Sequence, residues 1–266
     1  MLADTCARVF DSGQTRIEST ATARHRGGMA TKSTCATCVV RERALCAALS
    51  DDQLPELNRM GRRRNLARGE TLSWAGGESL VCANLISGLM KVTASTPDGR
   101  AQVVGLVHPA DFVGRPYAED ADFTVTAVQE SELCVFPRDR FERAVETHPP
   151  MERLLLQRTF AALDSARDRM LTLARKTASE RVAGLLLELA ANSEKPGQSS
   201  FDLPLTRGEM AEVLGLTIET VSRQLTRLRK GGIVSLHGAR GITIQDRSAL
   251  QGLAGYARES RTHAMH

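Results

Sequence analysis

Three cysteines, Cys35-x2-Cys38-x7-Cys46, lie near the start of the chain, and Cys134 stands far downstream. Thiolates at such spacing suit soft metals, and iron–sulfur clusters and zinc both use them. Structural zinc sites usually draw on two short Cys-x-x-Cys knuckles, and only one short pair is present. Three thiols in one segment with a remote fourth are common in [4Fe–4S] ligation. On spacing alone, zinc and a metal-free switch in which Cys35 and Cys38 pair on oxidation stay open. Cys82 competes as fourth ligand, but it sits in an apolar run and reads as a small hydrophobe. Cys6 is assigned no role, and the six histidines show no ligand spacing.

A second set of residues has the spacing of a DNA reader. Ala211, Gly215, Leu216 and Val221 supply the small crossing residue, the turn glycine and the apolar anchors of a helix-turn-helix, with Leu225 and Leu228 beyond. The second helix of such a motif enters the major groove by its first turns. Glu219, Ser222 and Arg223 then point outward together. Arginine can grip guanine with two bonds, and a carboxylate can accept from cytosine. Thr206 and Thr220 are placed to meet phosphates, which positions the reader without specifying sequence. Arg223, Arg227, Arg229, Lys230 and Arg240 face Glu219 alone between residues 216 and 241, a local positive surface within a chain of net charge +4.

The elements that must position these groups follow from pattern. At 266 residues, with 42% hydrophobic and 4% aromatic residues, the chain can build cores from Leu, Val and Ala. It has no apolar run of the ~20 residues needed to span a bilayer and no long apolar leader, so a cytoplasmic protein is expected. Residues 1–30 read as a disordered extension, with translation start at Met1 or Met29 left open. Residues 31–60 form a cysteine-bearing loop and one amphipathic helix over 39–60. Short strands at Leu80–Ile86, Leu89–Ala94, Gln102–Val107, Phe123–Val128 and Leu133–Phe136, split by turns, make 61–146 a small β-barrel or jelly roll. Pro149-Pro150 opens a long helix within 147–178. On it Leu156, Phe160, Leu163, Met170 and Leu173 recur at helical steps, as packing against its own barrel or as a seam against a second copy. Residues 179–247 hold a helix over 178–191, a polar loop over 192–200, helices around Gly215 and a hairpin wing; 248–266 form a tail. The fold class is α+β. No nucleophile–base pair, phosphate loop or zinc-protease motif appears, so an enzyme is not expected.

The stretch Leu205-Thr-Arg-Gly-Glu-Met-Ala-Glu-Val-Leu-Gly-Leu-Thr-Ile-Glu-Thr-Val-Ser-Arg223 resembles the reader of the cyclic-AMP receptor/FNR superfamily of transcription regulators. The likeness spans about residues 35–247. It implies a cyclic-nucleotide-binding-like jelly roll, a dimerisation helix and a winged helix-turn-helix. It also implies a homodimer reading palindromic TTGAT-N4-ATCAA sites through Glu219, Ser222 and Arg223. Ile218 stands where cyclic-AMP receptors have arginine, which points to FNR-type specificity. The resemblance implies Cys35, Cys38, Cys46 and Cys134 as ligands of a [4Fe–4S] cluster. It further implies that oxygen converts that cluster, separates the dimer and releases DNA. The x7 gap and Phe112-Val-Gly-Arg-Pro116 look most like the alphaproteobacterial FNR branch rather than the enterobacterial one, so tuning of oxygen lability by cluster neighbours is not carried over, and Val39 and Leu45 are the positions to test. Cyclic-nucleotide barrels hold phosphate with a Gly-Glu turn and an Arg-Ser pair. Here Gly114-Arg115-Pro116 is followed by Glu119, Asp120 and Asp122, so no cyclic nucleotide is expected. Ser95–Arg100 matches the family's turn for RNA polymerase, although Arg100 departs from the acidic residue of the enterobacterial member.

Overall fold

The computed structural model describes residues 35, 37–193, 199–238 and 240–255. The stretch 1–30, with Cys6, and most of the expected tail lie outside the described residues. Among those described, no helix is long and apolar enough to cross a membrane.

The segment after Cys35 is not the single helix expected over 39–60. It winds through turns, then a short 3₁₀ helix (Leu45–Ala48), then α1 (Leu54–Met60). The break has a local cause. Leu49 turns extended at φ −101°, ψ 139°. Ser50, Asp51 and Asp52 favour turns over helix, and Pro55 is tolerated only in a first turn. The interruption lets Val40, Ala44, Leu45, Leu49, Leu54 and Leu57 bury together.

Eight strands follow: β1 (Arg62–Leu66), β2 (Thr71–Ser73), β3 (Val81–Ser87), β4 (Met90–Ser95), β5 (Ala101–Val107), β6 (Phe112–Val113), β7 (Thr124–Ala127) and β8 (Ser131–Pro137). They form two antiparallel sheets, ordered β1-β8-β3-β6 and β2-β7-β4-β5. This is a double-sheet jelly roll, not a closed barrel. Ala83 and Leu85 of β3 and Leu133 of β8 point between the sheets, into a core with Leu66, Met90 and Val125. The alternate residues, Cys82, Ile86, Cys134 and Phe136, face the other way, toward the cysteine segment. Strand β3 is therefore buried on both faces, which is why it reads in sequence as a continuous apolar run.

Gly88 turns the β3–β4 hairpin at φ +98°, and a Cβ there would lie 2.3 Å from Ser131 Oγ and 2.6 Å from the Glu130 carbonyl oxygen. Gly88→Ala is expected to destabilise the protein by roughly 1–3 kcal/mol from backbone strain alone, before the clash is counted. Urea unfolding would measure it, and an unchanged midpoint would contradict this account.

Helix α2 (Arg138–Thr147), not foreseen within the strand-rich segment, buries Phe141, Ala144 and Val145 on the cysteine segment. Helix α3 (Pro149–Arg175) carries both prolines in its first turn, where missing N–H groups cost nothing. Its start is buried at Met151, with Leu154 and Leu155 packed on the same cluster as Val40 and Leu45. Then come α4 (Ala178–Ala191), β9 (Ser200–Asp202), α5 (Arg207–Leu214), α6 (Ile218–Lys230), β10 (Val234–His237), β11 (Gly241–Ile244) and α7 (Arg247–Leu253). The wing is a three-stranded sheet, β10-β11-β9. Its third strand falls mostly past the expected loop at 192–200, and α7 runs from the last residue of the expected reader domain into the expected tail. The reader's core includes Leu89, Val103 and Val128 from the jelly roll. Arg68 reinforces that seating, with Nη2 donating to both carboxylate oxygens of Glu209 at 2.7 and 2.6 Å, and Lys91 pairs with Glu212 at 2.9 Å. Burial pushes the Glu209 carboxyl up, but hydrogen bonds from Thr206 and Arg68 outweigh it and hold it below the usual range.

Candidate functional site

Cys35, Cys38, Cys46 and Cys134 line one cavity of about 190 Å³, together with Asn58, Gly61, Arg63, Asn84 and Phe136. Its size is comparable to the ~150 Å³ engineered cavity that admits a benzene. Cys35 and Cys38 sit on the first turn, where the Cys38 N–H donates to the Cys35 carbonyl at 3.3 Å. Cys46 comes from the 3₁₀ helix and Cys134 from β8, the far side of the cavity. The Cys35 thiol donates to Asn58 Oδ1 at 3.4 Å, and that of Cys46 to the Arg41 carbonyl at 3.7 Å. Burial, with smaller contributions from Cys38 and Cys35, pushes the Cys46 thiol up to about 11. Burial and Cys35 push Cys134 up to about 12 against the opposing charge of Arg63. These thiols are neutral until a positive centre stabilises their thiolates and displaces the protons.

Four thiols lining one cavity make a donor set of the kind that clusters use. Among the described residues no three Cys, His, Asp or Glu side chains converge closely enough to hold one metal ion. Tetrahedral zinc, with bonds of ~2.3 Å, would need sulfurs about 3.8 Å apart. The four thiols instead surround a volume. Two further features shape that volume. A Cβ at Gly61 would lie 2.7 Å from Phe136 and 3.1 Å from Cys134 Sγ, so the glycine keeps space open beside the thiol. Asn84, 3% exposed, lines the cavity, and its buried Oδ1 has no hydrogen-bond partner. Leaving such a group unmet costs roughly 1–3 kcal/mol. Neither residue was singled out from the sequence, although an asparagine inside the apolar run Val81–Ile86 was a visible signal. Cys82 does not line the cavity; it is fully buried near Gly114, and burial pushes its thiol up to about 12. Of the two positions to test for tuning, Val39 is 79% exposed and Leu45 is buried.

The reader is built by short local devices. Thr206 caps α5 in a capping box with Glu209, Gly215 ends it at φ +60°, and Thr217 caps α6 through the Thr220 N–H. Val221, Gln224, Leu225 and Leu228 turn inward. Glu219, Ser222 and Arg223 are exposed together, and Thr220 is half-buried. The Glu219 carboxyl is held below its usual range, first by its own backbone N–H and then by Thr217, so it is ionised at the helix start. The hydroxyls of Thr206 and Thr220 are already engaged locally: Thr206 bonds Glu209 at 2.8 Å, and Thr220 accepts from Arg223 at 3.4 Å. Arg227, Arg229 and Lys230 are exposed beyond them.

Along α3, Leu156, Phe160, Leu163 and Met170 are 55%, 58%, 44% and 70% exposed. Leu173 is half-buried, with a methyl 3.3 Å from where a Cβ of Gly215 would stand, so it also touches the reader's turn. In the jelly roll, Arg115 pairs with Asp122, and the Tyr117 N–H donates to Glu142 at 2.7 Å. Arg115 and the Tyr117 N–H are thus both engaged by carboxylates. Thr96–Arg100 forms an exposed turn closed by Thr96 N–H to the Arg100 carbonyl at 2.9 Å.

Similarity to known proteins agrees with this architecture. Residues 63–148 match the cyclic nucleotide-binding domain and residues 180–253 the Crp-like helix-turn-helix domain. A probable transcriptional activator of Rhizobium leguminosarum is 44% identical, covering 82% of this chain and 91% of its own length. The transcriptional activator protein FnrL of Cereibacter sphaeroides is 40% identical over 83% and 92% of the two chains. The solved structure of FixK2 from Bradyrhizobium japonicum superposes with a TM-score of 0.68 at 29% identity, covering 73% of this chain and 96% of that one. With a jelly roll, a long helix and a winged reader in this order, and relatives of such identity along most of its length, the chain belongs to the CRP/FNR family of transcriptional regulators.

Proposed function

We propose that this protein is an oxygen-responsive, FNR-type regulator whose four cysteines hold a [4Fe–4S] cluster, and that a homodimer binds TTGAT-N4-ATCAA-like promoter sites in the loaded form. The observation that carries this reading is the meeting of Cys35, Cys38, Cys46 and Cys134 around one cavity. When bound, such a cluster supplies oxygen-sensitive chemistry that zinc lacks. The chain supplies the rest. Ligation by both sides ties the Cys35–Cys46 segment to β8. That segment packs on the start of α3 through Val40, Leu45, Leu154 and Leu155, and Arg158 of α3 donates to the Arg43 carbonyl. Fixing the segment therefore fixes the entry of the helix whose exposed stripe pairs with a second copy. Two readers on one dimer make the second half-site contact intramolecular, which strengthens binding ~10²-fold or more.

The jelly roll takes no cyclic nucleotide in this reading, because Asp122 pairs with Arg115, the only arginine of the expected phosphate segment, and Glu119 and Asp120 add negative charge to that segment. The Ser95–Arg100 turn is the contact for RNA polymerase. Glu219, Ser222 and Arg223 read bases. Arg223→Ala is expected to weaken binding to the consensus site by about 1–3 kcal/mol, or some 5- to 150-fold, and to relax selectivity at one base pair. Anaerobic mobility-shift titration on consensus and single-substituted sites measures both. Iron and sulfide counts on protein purified without oxygen test the cluster itself. Colourless protein that binds its site equally before and after air would end this reading.

A further inference from the structure

The orphaned amide oxygen in the cavity wall points to a function. On β3, the residues facing the cysteine segment are Cys82, Asn84 and Ile86, and Asn84 alone is polar. The β3–β8 register sets Asn84 directly opposite Cys134, and the β3–β6 register sets it opposite Phe112. Directly opposed side chains on one sheet face have Cβ atoms about 4.5–5.5 Å apart, within reach of an amide group. The side chain is 3% exposed, and its buried Oδ1 meets no donor. An apolar residue of similar size would pack this face without that penalty. The cost is offset only if the amide bonds something that enters the cavity. A half-turn about χ2 exchanges Oδ1 for Nδ2 at one position, so the group can present a donor where it shows an acceptor. Sulfur ligands are anionic once loaded, and N–H donors are what they accept.

We infer that Asn84 is a positioning residue of the thiol cage, donating its Nδ2–H to the Cys134 thiolate and thereby setting how firmly the cluster is held and its reduction potential. The inference rests on the cluster reading above, and adds to it a residue outside the ligand set. Hydrogen bonds to ligand sulfur stabilise the more reduced, more negative state and raise the potential. Outer-shell partners of this kind typically change retention by 10- to 100-fold.

The test uses full-length wild type, Asn84→Leu and Asn84→Thr, each reconstituted anaerobically with iron and sulfide. Asn84→Leu keeps the branched four-atom skeleton, with somewhat more bulk, and removes the donor; Asn84→Thr keeps a shorter hydroxyl donor. Retention against an iron chelator should fall roughly 10- to 100-fold in Asn84→Leu and less in Asn84→Thr. The reduction potential, by mediated titration, should fall in the same order. Before loading, Asn84→Leu should melt at or above wild type, because the unmet polar group is gone. A purely structural asparagine predicts the reverse: a lower melting temperature and an unchanged potential. That result, or failure of Asn84→Leu to fold, would overturn the inference. So would equal retention and potential across the three proteins. Wild type that takes up no iron would sink the cluster reading itself, and this inference with it.

Discussion

Cys134→Ala protein purified without oxygen is expected to be colourless, with cluster retention down on the order of 100-fold or more, beyond the 10- to 100-fold typical of an outer-shell partner. Cys134 is the one thiol of the four that does not belong to the N-terminal segment, so its loss opens the cage on one side. The fold should persist. Removing a half-buried thiol costs only about 1 kcal/mol of burial, and the β1–β8 and β3–β8 ladders do not need the side chain. Unfolding midpoints of the unloaded proteins should therefore nearly coincide, while iron and sulfide counts diverge. The matching control is Cys82→Ala. Cys82 lies outside the cavity lining, so that variant should keep its visible absorption. Colour retained in Cys134→Ala and lost in Cys82→Ala would reverse the ligand assignment.

The second large effect concerns the seam. Leu163→Glu should leave the protomer's stability within about 0.5 kcal/mol, because the residue is 44% exposed in the single chain. It should abolish dimerisation of the loaded protein. Leu156, Phe160, Leu163 and Met170 form an exposed apolar stripe, and each side chain gains roughly 1.5–3 kcal/mol on full burial. Two glutamates meeting at the centre of that contact would forfeit this gain and add buried like charges. Promoter affinity should drop about 10²- to 10⁴-fold, the advantage of intramolecular engagement, while binding to an isolated half-site barely changes. Sedimentation velocity and mobility shift on full and half sites decide it. A Leu163→Glu protein that still sediments as a dimer would show that α3 pairs through another face.

Much of this protein was legible in its sequence where the signal is local. The reader is the clearest case: Ile218–Lys230 and Ala178–Ala191 begin and end where capping and periodicity put them, because Thr217 and Thr177 cap their own next turn. The paired turns of the jelly roll were legible for the same reason. The helix expected over 39–60 failed because apolar spacing does not report the Ser50–Pro55 break. Strand β9 escaped notice because three residues paired with β11 carry no pattern of their own. Helix α2 was missed because it follows β8 without a turn residue to announce it.

Residue types and spacing determined by themselves that thiols and a DNA reader share this chain, since ligand chemistry and helix caps are properties of a few neighbouring residues. Only the folded chain decided which thiols meet. Register along β3 and β8 turns Cys82, Asn84 and Cys134 alike toward the N-terminal segment, but sets Asn84 opposite Cys134 at the cavity and Cys82 two residues along the strand, outside the lining. A strand buried on both faces looks uniform in sequence, and sidedness is settled by what packs against each face.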